Sequence, residues 1–398
     1  MKSTAGRMSH LAAHFFAALS ARLQVLQAEG RDIIRLDEGA PDLPPAPHIL
    51  EALQRSAARP DAHSYQTHRG PRSLRQAWAG MYRRLYAIEL DPEQEITPLL
   101  GSKEGIFHLS LAYIEPGDVA LVPDPGYITY SRGALIAGGE VFPMPLLPER
   151  GYLPDLEALP RPVLQRAKLM WLNYPNNPTA AVANLDFFNQ AVELAREYGF
   201  LLCHDAAYMQ VAFDGEQPPS LLQAPGAKEV AVEFNTLSKS HNMAGWRSGA
   251  LLGNPQAVRA LYILKTNADS SHFLPIFEAS TAALTGDQSW LSERNEIYRQ
   301  RRDVVVAGLG RIGLAVPAPR ASLYVWLPVP TGWSSADFAS AALEQAGVSL
   351  TPGTVFGPGG EGFVRISITT PSERIQQAMD RLGDWLGQPG AALSPLRL

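Results

Sequence analysis

Between about residues 95 and 255, short apolar runs with almost no polar alternation take turns with longer stretches of helical periodicity. The runs are ITPLL (96–100), VALVP (119–123), EVFPM (140–144), KLMWLN (168–173), FLLCH (200–204), VAVEFNT (230–236) and GALLG (249–253). Amphipathic helical patterns such as Ser102–Tyr113 and Leu185–Tyr198 lie between them. Strands that are apolar on both faces belong to a mostly parallel sheet covered by helices on each side. Such a sheet takes its ligands beyond the carboxyl ends of its strands, so the polar residues that matter should follow each run. They do: GSKEG follows the first, DPGY the second, NYPNNPT the fourth, DAAY the fifth and SKS the sixth. Five strand ends of different chemical character point to one assembled site.

Composition narrows what that site serves. A net charge of −5 over 398 residues gives no basic footprint for nucleic acid and no polybasic membrane anchor. No apolar run is long enough to span a bilayer, and LAAHFFAALSARLQVLQ near the start reads as an amphipathic helix rather than a signal peptide. Cys203 is the single cysteine, which excludes an internal disulfide and a multi-cysteine zinc site, and no metal site is expected. It lies in FLLC and reads as a buried thiol. The chain reads as cytoplasmic.

The organisation expected is α/β. Residues 1–45 form an arm, with LPPAPH (43–48) as a linker; 46–280 form the large domain around the central sheet; 281–398 form a smaller α+β domain. The smaller part should hold a long helix (Trp290–Leu309), SLYVWLPV, a helix near Ala336–Ala346, VSLTP, the strand FVRISIT, a helix over Ser372–Leu386 and a poorly ordered tail.

Each cluster carries a chemistry. GSKEG opens a helix with free N–H groups, a seat for an anion or an ordinary cap. Thr236, Ser238 and Arg247 add two hydroxyls and a guanidinium suited to a phosphate. Asp205 follows an apolar run and needs a positive partner or hydrogen bonds to stay ionised, unless it caps the next segment. Tyr208 lies three residues on, Tyr127 offers an aromatic face, and Asn177 is held between Pro175 and Pro178. Lys239 is one of only six lysines among 34 basic residues. Arginine cannot serve as a free amine, whereas lysine can be tuned to do so.

Pyridoxal phosphate uses all these parts: an amine for its aldehyde, a carboxylate for its ring nitrogen, an anion seat, an aromatic lid and donors to its phenolic oxygen. In NNPT, DxxY, SK with arginine eight positions on, and a late FVRIS, in that order over residues 33–370, the chain resembles the class I/II aminotransferases of fold type I, the aspartate aminotransferase superfamily. The resemblance implies a large domain with a mostly parallel sheet and a ping-pong exchange of an amino group between an L-amino acid and a 2-oxo acid. Lys239 would join the cofactor's aldehyde and shuttle the proton. Asp205 would pair with the ring nitrogen, Tyr208 and Asn177 would hold the phenolic oxygen, and Tyr127 would stack on the ring. Ser102, Lys103, Thr236, Ser238 and Arg247 would hold the phosphate. Tyr65 would reach the phosphate of a second copy, making the protein a homodimer. Arg365, with the backbone at Gly39 and Ala40, would hold the substrate α-carboxylate.

Two departures stand out. The family's NPTG is NPTA here, with Ala180 in place of glycine, and a modest backbone adjustment is expected. No motif supplies a second substrate-binding arginine, so nothing at this level supports a dicarboxylate preference. SKEG, PDPGY, YPNNPTA and TPGTVFGPGGEGFVRIS look closest to the LL-diaminopimelate and alanine aminotransferase branches. The alternative on the same fold is a C–S lyase or related elimination enzyme. Side-chain specificity should lie in loops near 14–20 and 265–275 and at the start of the small domain.

Overall fold

The computed structural model describes residues 4–11 and 15–388; the expected tail beyond 388 lies outside the described residues. Strand β1 (Ile34–Arg35) precedes β2 (Ile96–Leu99), β3 (Val119–Asp124), β4 (Glu140–Pro145), β5 (Ala167–Asn173), β6 (Leu201–Asp205), β7 (Ala231–Thr236) and β8 (Gly249–Gly253). All seven apolar runs become strands of one sheet, ordered β2-β8-β7-β6-β5-β3-β4. Its core from β4 to β7 is parallel, while β8 runs antiparallel to both β2 and β7.

The lack of alternation in these strands has a direct cause. Successive side chains point to opposite faces, and both faces are packed. Leu169 and Trp171 join one apolar cluster with Cys203, Phe234 and Leu251. Met170 and Leu172 join another with Leu202, Ala250 and Leu252. Cys203 is fully buried, as expected. Behind β6, the Glu233 carboxylate is fully satisfied by His204 Nδ1 (2.8 Å), the Tyr82 hydroxyl (2.6 Å), Ser220 Oγ and the Leu221 N–H.

A third cluster surrounds the antiparallel sheet formed by β9 (Tyr324–Pro328), β11 (Thr351–Pro352) and β12 (Phe363–Ser367), which are ordered β11-β12-β9. VSLTP is not one strand: β10 (Val348–Ser349) pairs in parallel with β1, and β11 pairs with β12. Leu350, between them, turns into the apolar cluster and separates the two pairings. The long helix runs Trp290–Arg311, the helix Ser335–Ala341 ends in a π turn over Ala342–Ala346, and the last helix is Ser372–Leu386. Near the start, the helix Phe15–Ala28 buries Leu23 and Leu26, and its Arg22 pairs with Glu344.

Candidate active site

Beyond the carboxyl ends of the parallel strands lies a cavity of about 440 Å3. Every residue named from the sequence as a site candidate lines it except Tyr65, which is 95% exposed in the single chain.

At its centre, Lys239 sits in a four-residue helical turn, Leu237–Ser240, directly after β7. Its Nζ donates to the Gly39 carbonyl at 2.6 Å. Burial, followed by the positive fields of Arg365 and Arg247, lowers its pKa from 10.5 to about 8. Asp205 ends β6 and is 5% exposed. The Tyr130 hydroxyl donates to its Oδ2 at 2.8 Å, while its Oδ1 is buried with no hydrogen-bond partner among the described residues. Burial pushes this carboxyl upward, against the hydrogen bond from Tyr130. Tyr130 is itself set by parallel stacking on Trp171, 5.0 Å between ring centres.

One edge of the cavity is a chain of polar contacts. The Tyr208 and Tyr324 hydroxyls share a hydrogen bond of 2.8 Å. The Arg365 guanidinium lies over the Tyr324 ring at 4.1 Å and the Phe356 ring at 4.8 Å. It donates to Asn177 Oδ1 at 2.9 Å and to the Asp37 carbonyl at 2.8 Å. Among the described residues no carboxylate pairs with it, although it is only 3% exposed. Asn173 fixes the loop beneath, accepting from the Asn177 N–H at 2.8 Å and donating to the Asp205 carbonyl at 2.7 Å.

The opposite edge is an anion seat. Gly101, at φ +78°, turns β2 into the helix Ser102–Tyr113, whose first N–H groups face the cavity's end. A Cβ on Gly101 would stand 2.4 Å from Arg247 Nη2, so only glycine admits the guanidinium here. Arg247 adopts φ +59°, with Nη1 on the Ala244 carbonyl. Thr236 Oγ1 contacts Ser238 Oγ at 3.0 Å and the Ser248 carbonyl at 2.9 Å. Ser102 Oγ is buried and, among the described residues, unpartnered.

Ala180 keeps the left-handed conformation, φ +61°, with its N–H on the Asn176 carbonyl at 3.0 Å. That is a region glycine enters freely and alanine only at a cost. Alanine accepts the strain there.

A second cavity of about 290 Å3 adjoins the first and shares Phe16, Lys103, Tyr127, Asn177 and Arg365 with it. Its walls add Phe15, Ile128, Val355 and Phe356, and one further cation, Arg132. Neither the Lys103 amine nor the Arg132 guanidinium pairs with any described residue. Burial and the nearby Arg132 and Arg247 lower the Lys103 pKa. Of the two loops expected to carry specificity, residues 15 and 16 line this cavity and residue 14 lies outside the described residues. The 265–275 loop lines neither cavity, because buried Lys265 ties it to Glu104 and Asp269 instead.

Sequence reading missed Tyr130, Tyr324, Asn173 and Arg132. Tyr130 and Asn173 lie inside or next to quoted clusters, so proximity to a strand end was their signal. Tyr324 and Arg132 come from segments that read as ordinary strand and helix.

The donors fit pyridoxal phosphate. An unpartnered buried carboxylate oxygen suits a protonated ring nitrogen, and unpartnered Ser102 Oγ beside a glycine-admitted Arg247 suits a phosphate. Lys239 offers an amine that is partly neutral near pH 7.

A family profile described as aminotransferase class I and II matches residues 31–382. An LL-diaminopimelate aminotransferase of Moorella thermoacetica is 48% identical over 96% of this chain and 98% of its own length. One from Desulforudis audaxviator is 47% identical with the same coverage. Among solved structures, substrate-bound BacF from Bacillus subtilis superposes with a TM-score of 0.93 at 37% identity, covering 96% of this chain and 98% of that one. A Thermus thermophilus aspartate aminotransferase mutant gives 0.89 at 30% identity, covering 96% and 100%.

Proposed function

The chain belongs to the class I and II aminotransferases, with the type I fold, and is a transaminase; on that premise we propose that it works with pyridoxal phosphate on LL-diaminopimelate. The cofactor supplies an aldehyde that takes the amino group and a ring that draws off electrons from the substrate α-carbon. Asp205 Oδ1 would hold the ring nitrogen protonated, with Tyr130 fixing the carboxylate. Tyr208 and Asn177 would donate to the ring oxygen, and Tyr127 would cover the ring. Ser102 and Lys103 at the helix start, with Thr236, Ser238 and Arg247, would bind the phosphate, and Tyr65 would reach that of a second copy in a homodimer. Arg365 and the backbone at Gly39 and Ala40 would fix the substrate α-carboxylate. Lys239 Nζ would take the α-proton of the amino acid and pass it to the cofactor, and would carry a proton the opposite way in the half-reaction with the 2-oxo acid.

The observation that carries the substrate reading is the pair of cations, Lys103 and Arg132, lining the smaller cavity without anionic partners among the described residues. Apolar walls that end in two cations suit an aliphatic side chain with a distal carboxylate. Alanine would leave both cations unpaired, so the geometry favours the diaminopimelate branch over the alanine branch. The same cations would receive the distal carboxylate of 2-oxoglutarate. Purified protein supplied with pyridoxal phosphate, 2-oxoglutarate and either amino acid tests this through glutamate release. The kcat/KM for LL-diaminopimelate should exceed that for alanine by about 100-fold or more. Equal values would overturn the substrate reading, and release of pyruvate, ammonia and a free thiol from cystathionine, with no glutamate formed, would indicate elimination.

A further inference from the structure

The turn that carries Lys239 is too short to satisfy its own backbone. Near its C-terminal end the His241 and Met243 N–H groups both close on the Leu237 carbonyl, at 3.1 and 3.2 Å, which leaves the carbonyls after it unmet. The Lys239 and Ser240 carbonyls are taken by a single side chain, Arg294, on the long helix Trp290–Arg311. Its Nη1 donates to the Lys239 carbonyl at 3.0 Å and to the Ser240 carbonyl. Its Nη2 donates to the Gln210 carbonyl at 2.7 Å and to Asn295 Oδ1 at 2.6 Å. Asn295 Nδ2 donates to the same Gln210 carbonyl at 3.1 Å.

Gln210 closes the segment that begins with Asp205 and Tyr208. One guanidinium therefore spans the two segments that supply the amine, the carboxylate and the tyrosine of the site. It is 3% exposed, lies 6.0 Å from the Trp290 ring centre, and pairs with no carboxylate among the described residues. An uncompensated buried cation is an expensive way to cap carbonyls. A neutral amide would cap one segment. Only the planar fork of arginine reaches both at fixed spacing.

We propose that Arg294 is a positioning residue for the transamination: it fixes the Lys239 turn against the Asp205–Gln210 segment, so that the amine stays within reach of its partners. This rests on the role assigned to Lys239, and wild-type turnover tests that role separately. Burial lowers the Arg294 pKa to about 10, which leaves it charged through the neutral range.

The test uses Arg294→Gln and Arg294→Lys, each checked for fold by circular dichroism and thermal melting. In cofactor-free protein, trace acetylation of Lys239 across pH, read by peptide mass mapping against exposed Lys168, reports the amine directly. Both variants should fold. The Lys239 midpoint should move up by about one pH unit as the turn loosens and solvent enters. With cofactor and substrates, kcat should fall at least about tenfold with KM within about twofold, and lysine should not rescue it, since one ammonium cannot span both segments. A folded variant with unchanged Lys239 labelling and unchanged kcat overturns the proposal. Failure of both variants to fold overturns it too, because Arg294 would then serve the fold alone.

Discussion

Lys239 and Gly39, 200 positions apart in sequence, meet where the lysine Nζ donates to the glycine carbonyl at 2.6 Å. The contact brings the amine after β7 to the backbone just after β1. Burial and the nearby Arg365 and Arg247, rather than this contact, favour the neutral form of the amine.

The Lys239 amine should be half neutral near pH 8 in the cofactor-free protein. At pH 7 about a tenth is neutral, against roughly one part in 3,000 for an unperturbed lysine. Cofactor capture should therefore speed up as pH rises toward 8 and level off above it, as followed by absorbance in rapid mixing. Since the folded pKa lies below the unfolded value, protonation opposes folding. The stability of cofactor-free protein should rise with pH between about 8 and 10.5 through this group and be flat below. Lys239→Ala should abolish both trends and lower turnover by at least about 100-fold with the fold intact. A capture rate with a midpoint near 10 would contradict the depressed amine.

Gly39 has no room for a side chain. A Cβ there would stand 2.2 Å from the Tyr324 hydroxyl, which Tyr208 holds. Gly39→Ala should lower kcat/KM by about 100-fold, because both the Lys239 acceptor and the tyrosine pair are displaced. Adding Tyr324→Phe removes the oxygen that clashes and should recover part of the loss. A double variant no better than Gly39→Ala would show that this contact is not the cause.

On the substrate reading proposed above, Arg132 and Lys103 separate substrates by charge. Arg132→Ala should lower kcat/KM for LL-diaminopimelate by about 10- to 100-fold and leave alanine within about threefold. A parallel loss on both amino acids would mean that Arg132 supports the structure rather than the side chain of the substrate.

Ala180 holds φ +61° in a buried loop next to Asn177. Glycine adopts that conformation without the Cβ clash, so Ala180→Gly should stabilise the protein by about 1 kcal/mol. Thermal melting should show a rise of about 2 °C. A fall would indicate that the methyl group's packing outweighs the backbone strain.

Much of this site could be read along the chain, and the reason is topological. Strands buried on both faces must be apolar throughout, so they stand out, and whatever polar residues follow them are gathered at one edge of the sheet. Asp205 after FLLCH and Lys239 after VAVEFNT owe their visibility to that rule. Tyr65 was nameable only through resemblance; it is exposed in the single chain, and the role proposed for it calls for a second copy.

The chain alone determined the seven strands, the residues at their ends and the presence of an amine that can be neutral, because these follow from local periodicity and residue chemistry. Tertiary packing decided that β8 enters antiparallel between β2 and β7. It also decided that Arg132 turns toward Lys103 and that Arg294 grips the lysine turn from a helix 55 positions away. These depend on which helix face meets which loop across long separations. An arginine in a helix carries no local mark of the carbonyls or cavity it will face.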